Sequence, residues 1–247
     1  MIKRNYYKVV RIFPDPSSYF YIKNEMMSEG QLYLDSSWLS TVNLEYSFDK
    51  VNWTRLTSSS YDIYVPADGY VYFRNTSGTF CTSEYYGVFH IGDMSVSLGG
   101  DVRTLFNYTD VDSVTAIPAY GFNNPFSISG GEVIDISNLS FRGITSIGDH
   151  GLEDTFSQSW FKITKGVDLR DVTTIGERAL YQLYAYNSNL TEAYAPNVST
   201  WDTNKSLYWL LSVASTGVVY KPSTLDIPLD EESGIPSGWT TQDYPTI

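Results

Sequence analysis

One motif occurs three times between Val114 and Leu183. Its copies are VTAIPAYGF at residues 114–122, ITSIGDHGL at 144–152 and VTTIGERAL at 172–180. Each copy has a β-branched residue, Thr, a small residue, Ile and a turn former, then two variable positions, a small residue and a large apolar residue. A repeat of about 30 residues indicates units that cannot bury an apolar face alone and therefore stack on their neighbours.

The spacing inside one unit predicts a strand, a turn and a short helix. Gly148 supplies a backbone that can turn freely. Apolar pairs four residues apart follow this turn in two units: Leu152 with Phe156, and Ala179 with Leu183. This spacing fits one face of a short helix. Ahead of two units, residues 133–139 and 166–172 alternate apolar side chains around an Asp, which predicts short strands with one buried face.

The preceding region has the pattern of an antiparallel β domain. Apolar and polar side chains alternate in several short runs between residues 31 and 92. Residues 49–53 predict a hairpin, residues 61–74 predict a strand, a turn and a strand, and residues 85–91 predict another strand. These strands are enough for a small β-sandwich.

The first 30 residues form a candidate docking arm. Four basic side chains lie near its start: Lys3, Arg4, Lys8 and Arg11. A basic arm on an acidic body favours docking onto an acidic partner, such as another copy of the chain. The alternative is a terminal strand that packs on its own domain, and the sequence does not decide between the two.

The chain therefore divides into four predicted parts. They are a docking arm at 1–30, a β-sandwich-like domain at 31–92, a repeat region at 93–220 and a C-terminal cap at 221–247. The last part contains four prolines and an acidic run, which suits an irregular, polar end-cap better than another repeat.

Several segments also resemble a known family. ITSIGDHGL and VTTIGERAL are similar to the repeat core of the BspA-like leucine-rich-repeat proteins, in the variant common in gut anaerobes and their bacteriophages. Residues 195–222 resemble the terminal coil of that family, and residues 234–240 resemble its closing motif. Residues 43–47 and 71–74 are similar to the β segment that often precedes such repeats.

The resemblance implies a fold and a class of function. The implied fold is α+β and β-rich. It has an N-terminal antiparallel β domain, a short leucine-rich-repeat solenoid with short helices, and a C-terminal cap. The implied function is a surface or adhesion module without catalysis.

Charge and composition restrict the partners. The net charge is −12, so a nucleic-acid backbone and an anionic lipid surface would both repel the protein. No apolar run approaches membrane-spanning length, and no signal peptide is visible. Cys81 is the only cysteine, which excludes an intrachain disulfide, and we expect it to be a small buried apolar side chain.

No catalytic or metal-binding constellation stands out, and we expect no cofactor. His90 and His150 fall in different predicted domains. His150 occupies a variable repeat position and is expected to be a solvated turn residue. Asp135 and Asp168 recur ahead of two repeats, where they could act as acid and base. The favoured interpretation is that they bind turn amides or lie on an exposed strand face.

Aromatic clusters in the repeat region are the candidate ligand or partner surface. Their members are Trp160, Phe161, Tyr181, Tyr184 and Tyr186. Flat aromatic faces with a polar tip suit sugar stacking or protein contacts. The alternative is that these side chains fill the core and the edges of the repeats.

Three function hypotheses follow. The leading one is a non-enzymatic structural and recognition protein on a phage virion, as a capsid decoration, head fibre or tail-associated protein that attaches to a host surface protein or glycan. Such a protein is expected to form a homo-oligomer, because multivalency converts weak contacts into avidity, and to contact other virion proteins. The alternatives are a bacterial cell-surface adhesin and, third, a carbohydrate-active enzyme that uses Asp135 and Asp168.

Overall fold

A computed structural model describes residues 19–35, 43–56, 60–76, 80 and 88–245. In chain order the strands are β1 (Phe20–Asn24), β2 (Gly30–Asp35), β3 (Leu44–Ser47), β4 (Thr54–Arg55), β5 (Ser60–Val65), β6 (Tyr70–Asn75), β7 (Phe89–Ile91), β8 (Ser95–Asp101), β9 (Ala116–Ile117), β10 (Phe126–Ile128), β11 (Glu132–Ser140), β12 (Ser146–Ile147), β13 (Thr174–Ile175), β14 (Glu192–Tyr194), β15 (Gly217–Lys221) and β16 (Trp239–Asp243). Helical structure in these ranges is limited to α1 (Thr104–Asn107) and a 3-10 segment (Tyr108–Ser113).

Two sheets pack face to face and form what we name the sandwich. The large sheet has the order β11-β8-β1-β6-β3-β4, and the small sheet has the order β10-β7-β2-β5. Alternation along β1 turns Phe20 and Ile22 inward and leaves Tyr21 on the outer face. Between the sheets, the ring of Phe89 lies 5.5 Å from that of Phe20 and 5.0 Å from that of Phe73, centroid to centroid.

The predicted strands are present, but one pairing differs from the local pattern. The hairpin around residues 49–53 is confirmed, because β3 and β4 pair in antiparallel fashion. β5 and β6 both occur, with residues 66–69 between them, yet they do not form a hairpin. β5 pairs with β2 in the small sheet, whereas β6 lies between β1 and β3 in the large sheet. Of the strand predicted over 85–91, β7 is present and residues 85–87 lie outside the described ranges.

Two predicted boundaries fall inside the sandwich. β1 lies between β6 and β8, so the described residues before residue 31 belong to this domain and match the alternative of a terminal strand. β8, β10 and β11 follow residue 93 and also join the two sheets. The sandwich therefore includes segments that the sequence predicted to lie in the repeat region. Residues 1–18, which include most of the predicted arm, are outside the described part of the chain.

The repeated segments lie on top of one another and form what we name the stack. Its layers are residues 114–124, 144–158, 172–187 and 205–211. β9, β12 and β13 pair in parallel, with Ile117 opposite Ile147 and Ile147 opposite Ile175. These isoleucines are the residues that align in the sequence repeat, and all three are buried. The register of the pairing is thus the register of the repeat.

The short helices predicted after each turn do not form. In the layer at 144–158, the N–H groups of Gly151, Glu153 and Thr155 donate to the carbonyls of Gly148, His150 and Leu152, which closes a series of turns. The alternate N–H groups donate to the next layer instead: His150 to Glu177, Leu152 to Ala179, Asp154 to Tyr181 and Phe156 to Leu183. A helix would need those N–H groups for its own carbonyls.

Left-handed backbone conformations recur every four residues along these turns. In the layer at 144–158 they occur at His150, Asp154 and Gln158, with φ between 54° and 85°. A turn series with this period buries Leu152 and Phe156 as an i, i+4 pair on a helix would, and both are fully buried. The apolar spacing was therefore interpreted correctly as a one-sided element but wrongly as a helix.

The predicted fold class is accordingly wrong. The structure is β-rich, with several mixed sheets, and it does not form a leucine-rich-repeat solenoid with helices. The extended piece predicted over 166–172 is also not a strand, although it buries Val167, Leu169 and Val172. At the C-terminus, β14, β15 and β16 form a parallel sheet, so the segment predicted to be an irregular cap contributes a strand.

One hydrophobic core runs from the sandwich into the stack. The ring of Phe126, on β10, lies 5.8 Å from that of Phe89 and 6.4 Å from that of Phe156. Phe156 in turn stacks on Tyr184 at 5.8 Å with an interplanar angle of 14°. The first layers of the stack are therefore supported by the sandwich rather than by solvent-exposed caps.

Candidate functional site

The stack aligns one side chain from each of three layers in a column. Tyr120, His150 and Arg178 occupy one variable position of the sequence repeat, and their φ angles are 58°, 57° and 52°. Hydrogen bonds fix the layers in register: Tyr120 N–H donates to Asp149 O (2.9 Å), and His150 N–H donates to Glu177 O (2.8 Å). The three side chains consequently lie above one another.

Aromatic and charged groups continue this column across the surface. We name the following six residues the stripe: Tyr120, His150, Glu153, Arg178, Tyr181 and Tyr208. The rings of Tyr120 and His150 stack at 4.7 Å with an interplanar angle of 8°. The Arg178 guanidinium lies 3.7 Å from the Tyr181 ring centroid, and Tyr181 meets Tyr208 edge to face at 5.8 Å. Glu153 is buried, and the other five side chains are partly exposed.

Glu153 joins the two halves of the stripe. Its side chain is nearly buried, and it accepts a hydrogen bond of 2.5 Å from Arg178 Nη2. The other carboxylate oxygen is hydrogen-bonded to His150 Nδ1. The bond to Glu153 also raises the pKa of the Arg178 guanidinium, which keeps the cation charged.

Asp154 places a second carboxyl group beside Glu153. Burial, followed by the neighbouring Glu153 charge, raises the pKa of Asp154 to about 6. Its Oδ1 is buried and makes no hydrogen bond in the structure. Its backbone is left-handed, with a φ of 54°, a conformation that Asp and Asn tolerate better than most residues. The layer at 144–158 thus contains a titratable group close to the stripe.

The stripe is arranged for contact. Its carboxylate, imidazole and guanidinium already bind one another, and its rings are held in stacked or edge-to-face pairs. What it presents outward is flat aromatic area next to a fixed cation, which suits sugars and protein side chains. Within the described residues, no group of three or more His, Cys, Asp or Glu side chains is placed to hold a metal ion.

The predicted surface aromatics separate into different environments. Phe161 and Tyr184 are in the core, and the hydroxyl of Tyr184 accepts a hydrogen bond of 2.8 Å from Val167 N–H. Trp160 is partly buried against the same core. Tyr186 is 44% exposed. Only Tyr181 belongs to the stripe.

Sequence reasoning missed most of the stripe. We expected His150 to be a solvated turn residue, but its side chain is 23% exposed and bound to Glu153. The signal that identifies Tyr120, His150 and Arg178 was present, because all three occupy the same variable repeat position. Variability was interpreted as exposure, although stacking brings variable positions of neighbouring layers into contact.

The two carboxylates considered for acid–base chemistry lie in different surroundings. Asp135 accepts hydrogen bonds from the backbone and hydroxyl of Ser137. Asp168 pairs with Arg170 at 2.7 Å. Each carboxylate thus binds a residue two positions further on.

The remaining candidate residues lie outside the described ranges. They are the basic side chains of the predicted docking arm, Lys3, Arg4, Lys8 and Arg11, and the single cysteine, Cys81. Their predicted roles stay predictions.

Comparison with known proteins gives no relative. No protein-family model matches the chain. No curated protein and no solved structure matches it either. In the described part of the chain, no helix has the length and apolarity needed to cross a membrane. Function must therefore be argued from the geometry of the stripe, and the resemblance to BspA-like proteins stays a prediction.

Proposed function

We propose that this protein is a non-enzymatic recognition protein that attaches to a host-surface protein or glycan through the stripe. The stripe is the observation that carries the proposal. It aligns three tyrosine rings, an imidazole and a guanidinium over successive layers, with each group partly exposed.

The rigidity of the stripe supports binding. Each layer is fixed by turns within it and by hydrogen bonds to the next layer, so the positions of the side chains are set by the backbone. Tyr120 is held by His150, and Tyr181 is held between Arg178 and Tyr208. Side chains that are already immobilised lose little further entropy when a ligand binds.

The charge of the stripe fits an uncharged or amphipathic ligand. Glu153 neutralises Arg178, so the exposed rings carry little net charge although the whole protein carries −12. Strongly anionic partners such as nucleic acid are disfavoured by the overall charge. Glycans and protein loops fit the aromatic faces without needing charge compensation.

Cell binding by ring-deletion variants tests the proposal. Tyr181→Ala and Tyr208→Ala should each reduce the binding of fluorescently labelled protein to intact gut anaerobes about tenfold, as loss of an aromatic anchor does. Tyr186→Ala is the matched control, because this tyrosine is exposed but lies outside the stripe. Flow cytometry gives the readout. Equal binding by all three variants would refute a role for the stripe.

We further propose that the protein acts on the surface of a phage particle, as an oligomer in contact with other virion proteins. This part rests on the sequence resemblance. Mass spectrometry of purified virions should detect the chain, and its gene should lie beside portal, capsid or tail genes. A chain missing from particles but active in cell binding would instead favour a bacterial surface adhesin.

A further inference from the structure

A second surface feature lies on the outer face of the small sheet, away from the stack. The pairing of β2 with β5 and β7 places Tyr33 beside Asp62 and His90. In the next row, Gln31 lies beside Tyr64 on one side and beside Gly92 on the other, where Gly92 N–H donates to Gln31 O (3.1 Å). Gly92 has no side chain to fill its place in this row.

The gap above Gly92 is a shallow cleft of about 220 Å³. It is lined by Gln31, Tyr33, His90, Ile91, Gly92 and Ser129. Pockets that hold drug-sized ligands are usually about 300–1,000 Å³. The cleft is therefore suited to one small ring rather than to a large ligand.

The walls combine an aromatic face with fixed polar groups. Tyr33 is 37% exposed, and its ring is held edge to face against His90 at 5.4 Å. Gln31 Nε2 donates to Asp62 Oδ1 (2.7 Å). This bond fixes the orientation of the Gln31 amide and therefore also the position of its oxygen. Ser129 is exposed at the rim and carries a hydroxyl that can donate or accept.

These groups match the chemistry of a neutral sugar. A pyranose ring presents apolar C–H groups on one face, which pack on an aromatic ring, and hydroxyls around its edge. The hydroxyls can donate to the Gln31 oxygen and accept from Ser129. The described lining contains no Lys or Arg, and Asp62 behind Gln31 carries a negative charge, so an anionic ligand would be poorly compensated.

We propose that this cleft binds a single neutral pyranose ring. The site is separate from the stripe, because it is built by β2, by β7 and by the residues that follow β7 and β10 in the sandwich, and it shares no residue with the stack. The proposed sugar binding does not depend on whether the stripe binds cells. A glycan ligand would gain avidity if both surfaces engaged it.

Titration with simple glycosides tests the site on the full chain. The probes are methyl glucoside, methyl galactoside, methyl mannoside and methyl N-acetylglucosaminide, followed by NMR of the backbone amide of Gly92 and the side-chain amide of Gln31. At least one glycoside should bind with a Kd on the order of 1 mM, as expected for a small contact area. Glucose 6-phosphate should bind more weakly than the best neutral glycoside.

Variants locate the binding. Tyr33→Ala and Gln31→Ala should each raise the Kd about tenfold, the effect expected for the loss of one ring contact or one hydrogen bond to the ligand. Tyr70→Ala is the matched control, because Tyr70 is 38% exposed on the outer face of the other sheet. It should leave the Kd within about twofold.

Two further variants separate loss of binding from loss of folding. Tyr33→Phe keeps the ring and should retain binding, whereas Ser129→Trp should fill the cleft and abolish it. The proposal is overturned if none of the four glycosides binds, if glucose 6-phosphate binds more tightly than all of them, or if Tyr33→Ala binds as the unmodified protein does.

Discussion

The sandwich and the stack use different parts of the chain to hold their layers together. In the sandwich, the rings of Phe20, Phe73 and Phe89 fill the space between two sheets. In the stack, neighbouring layers are joined directly by their backbones, since every second N–H from His150 to Gln158 donates to the next layer. Side chains separate the two sheets, whereas little space separates two layers of the stack.

Two glycines show how closely the layers of the stack approach each other. A Cβ added at Gly148 would lie 2.6 Å from Ala119 N, and one added at Gly176 would lie 2.5 Å from Asp149 N. Both contacts are with the backbone of the preceding layer, which cannot rotate away as a side chain can. The sandwich should therefore be sensitive to the removal of volume, and the stack to its addition.

Removal of a central ring should give the largest effect. Phe89→Ala should lower the free energy of unfolding by about 3–5 kcal/mol, because the Phe89 ring packs against Phe73 of the large sheet and Phe126 of the small sheet. Urea denaturation provides the measurement. Phe89→Leu, which keeps most of the volume, should cost clearly less. A loss below 1 kcal/mol in the alanine variant would show that ring packing does not hold the sandwich.

Addition of one methyl group should separate the layers of the stack. Gly176→Ala should cost about 1–3 kcal/mol, as overpacking does, because the backbone at Asp149 must move. Thr174→Ala, at an exposed position of the same layer, is the control and should change stability by less than about 0.5 kcal/mol. If the two variants unfold at the same urea concentration, the stack is not sensitive to added volume and the prediction is wrong.

Loss of the buried Glu153 carboxylate should lower the stability less than Phe89→Ala or Gly176→Ala. Glu153→Gln should cost about 1–2 kcal/mol, below the value for a fully buried pair, because Arg178 is partly exposed and water can solvate it. Asp202→Asn removes the partner of Lys205 from an exposed pair 3.9 Å apart and should cost almost nothing. A double-mutant cycle with Arg178→Gln isolates the coupling, and a value near zero would contradict the assigned bond.

The stability of the stack should also depend on pH. The folded protein holds the Asp154 proton more tightly than the unfolded chain, because the pKa rises from 3.8 to about 6. This contribution to stability is complete below pH 3.8 and is lost as the pH rises through about 6.

Asp154→Asn tests this dependence without disturbing the backbone. Asn tolerates the left-handed conformation, so the variant should fold normally and its stability should decline less than that of the unmodified protein between about pH 4 and pH 6.5. Urea midpoints across this range provide the comparison. Parallel curves for the two proteins would exclude Asp154 as the titrating group.

Local sequence patterns predicted the strands better than their partners. Alternation identified β5 and β6 because each strand has one buried face. The alternation could not show that residues 66–69 connect a strand of one sheet to a strand of the other. Two strands bury the same alternate residues whether they pair as a hairpin or lie in two facing sheets. The repeat register was visible because equivalent isoleucines must occupy equivalent positions in neighbouring layers.

The candidate site was less accessible from the sequence than the fold. Tyr181 and Tyr184 are three residues apart and chemically alike, yet Tyr184 is fully buried and Tyr181 is in the stripe. Which of the two faces outward depends on the turn geometry, and the i, i+4 spacing had been assigned to a helix. The cleft at Gly92 also had no local signal, because its walls come from separate strands.

The sequence by itself determined that the chain is β-rich, that three segments are equivalent, and that the protein is strongly acidic. These properties depend on composition and on spacing along the chain. The tertiary structure alone decided which strands pair, whether the apolar spacing belongs to helices or turns, and which polar side chains meet. The physical reason is that a buried face fixes only which residues turn inward, whereas the path of the backbone hydrogen bonds is fixed by the neighbouring strand or layer, which can lie far away in the chain.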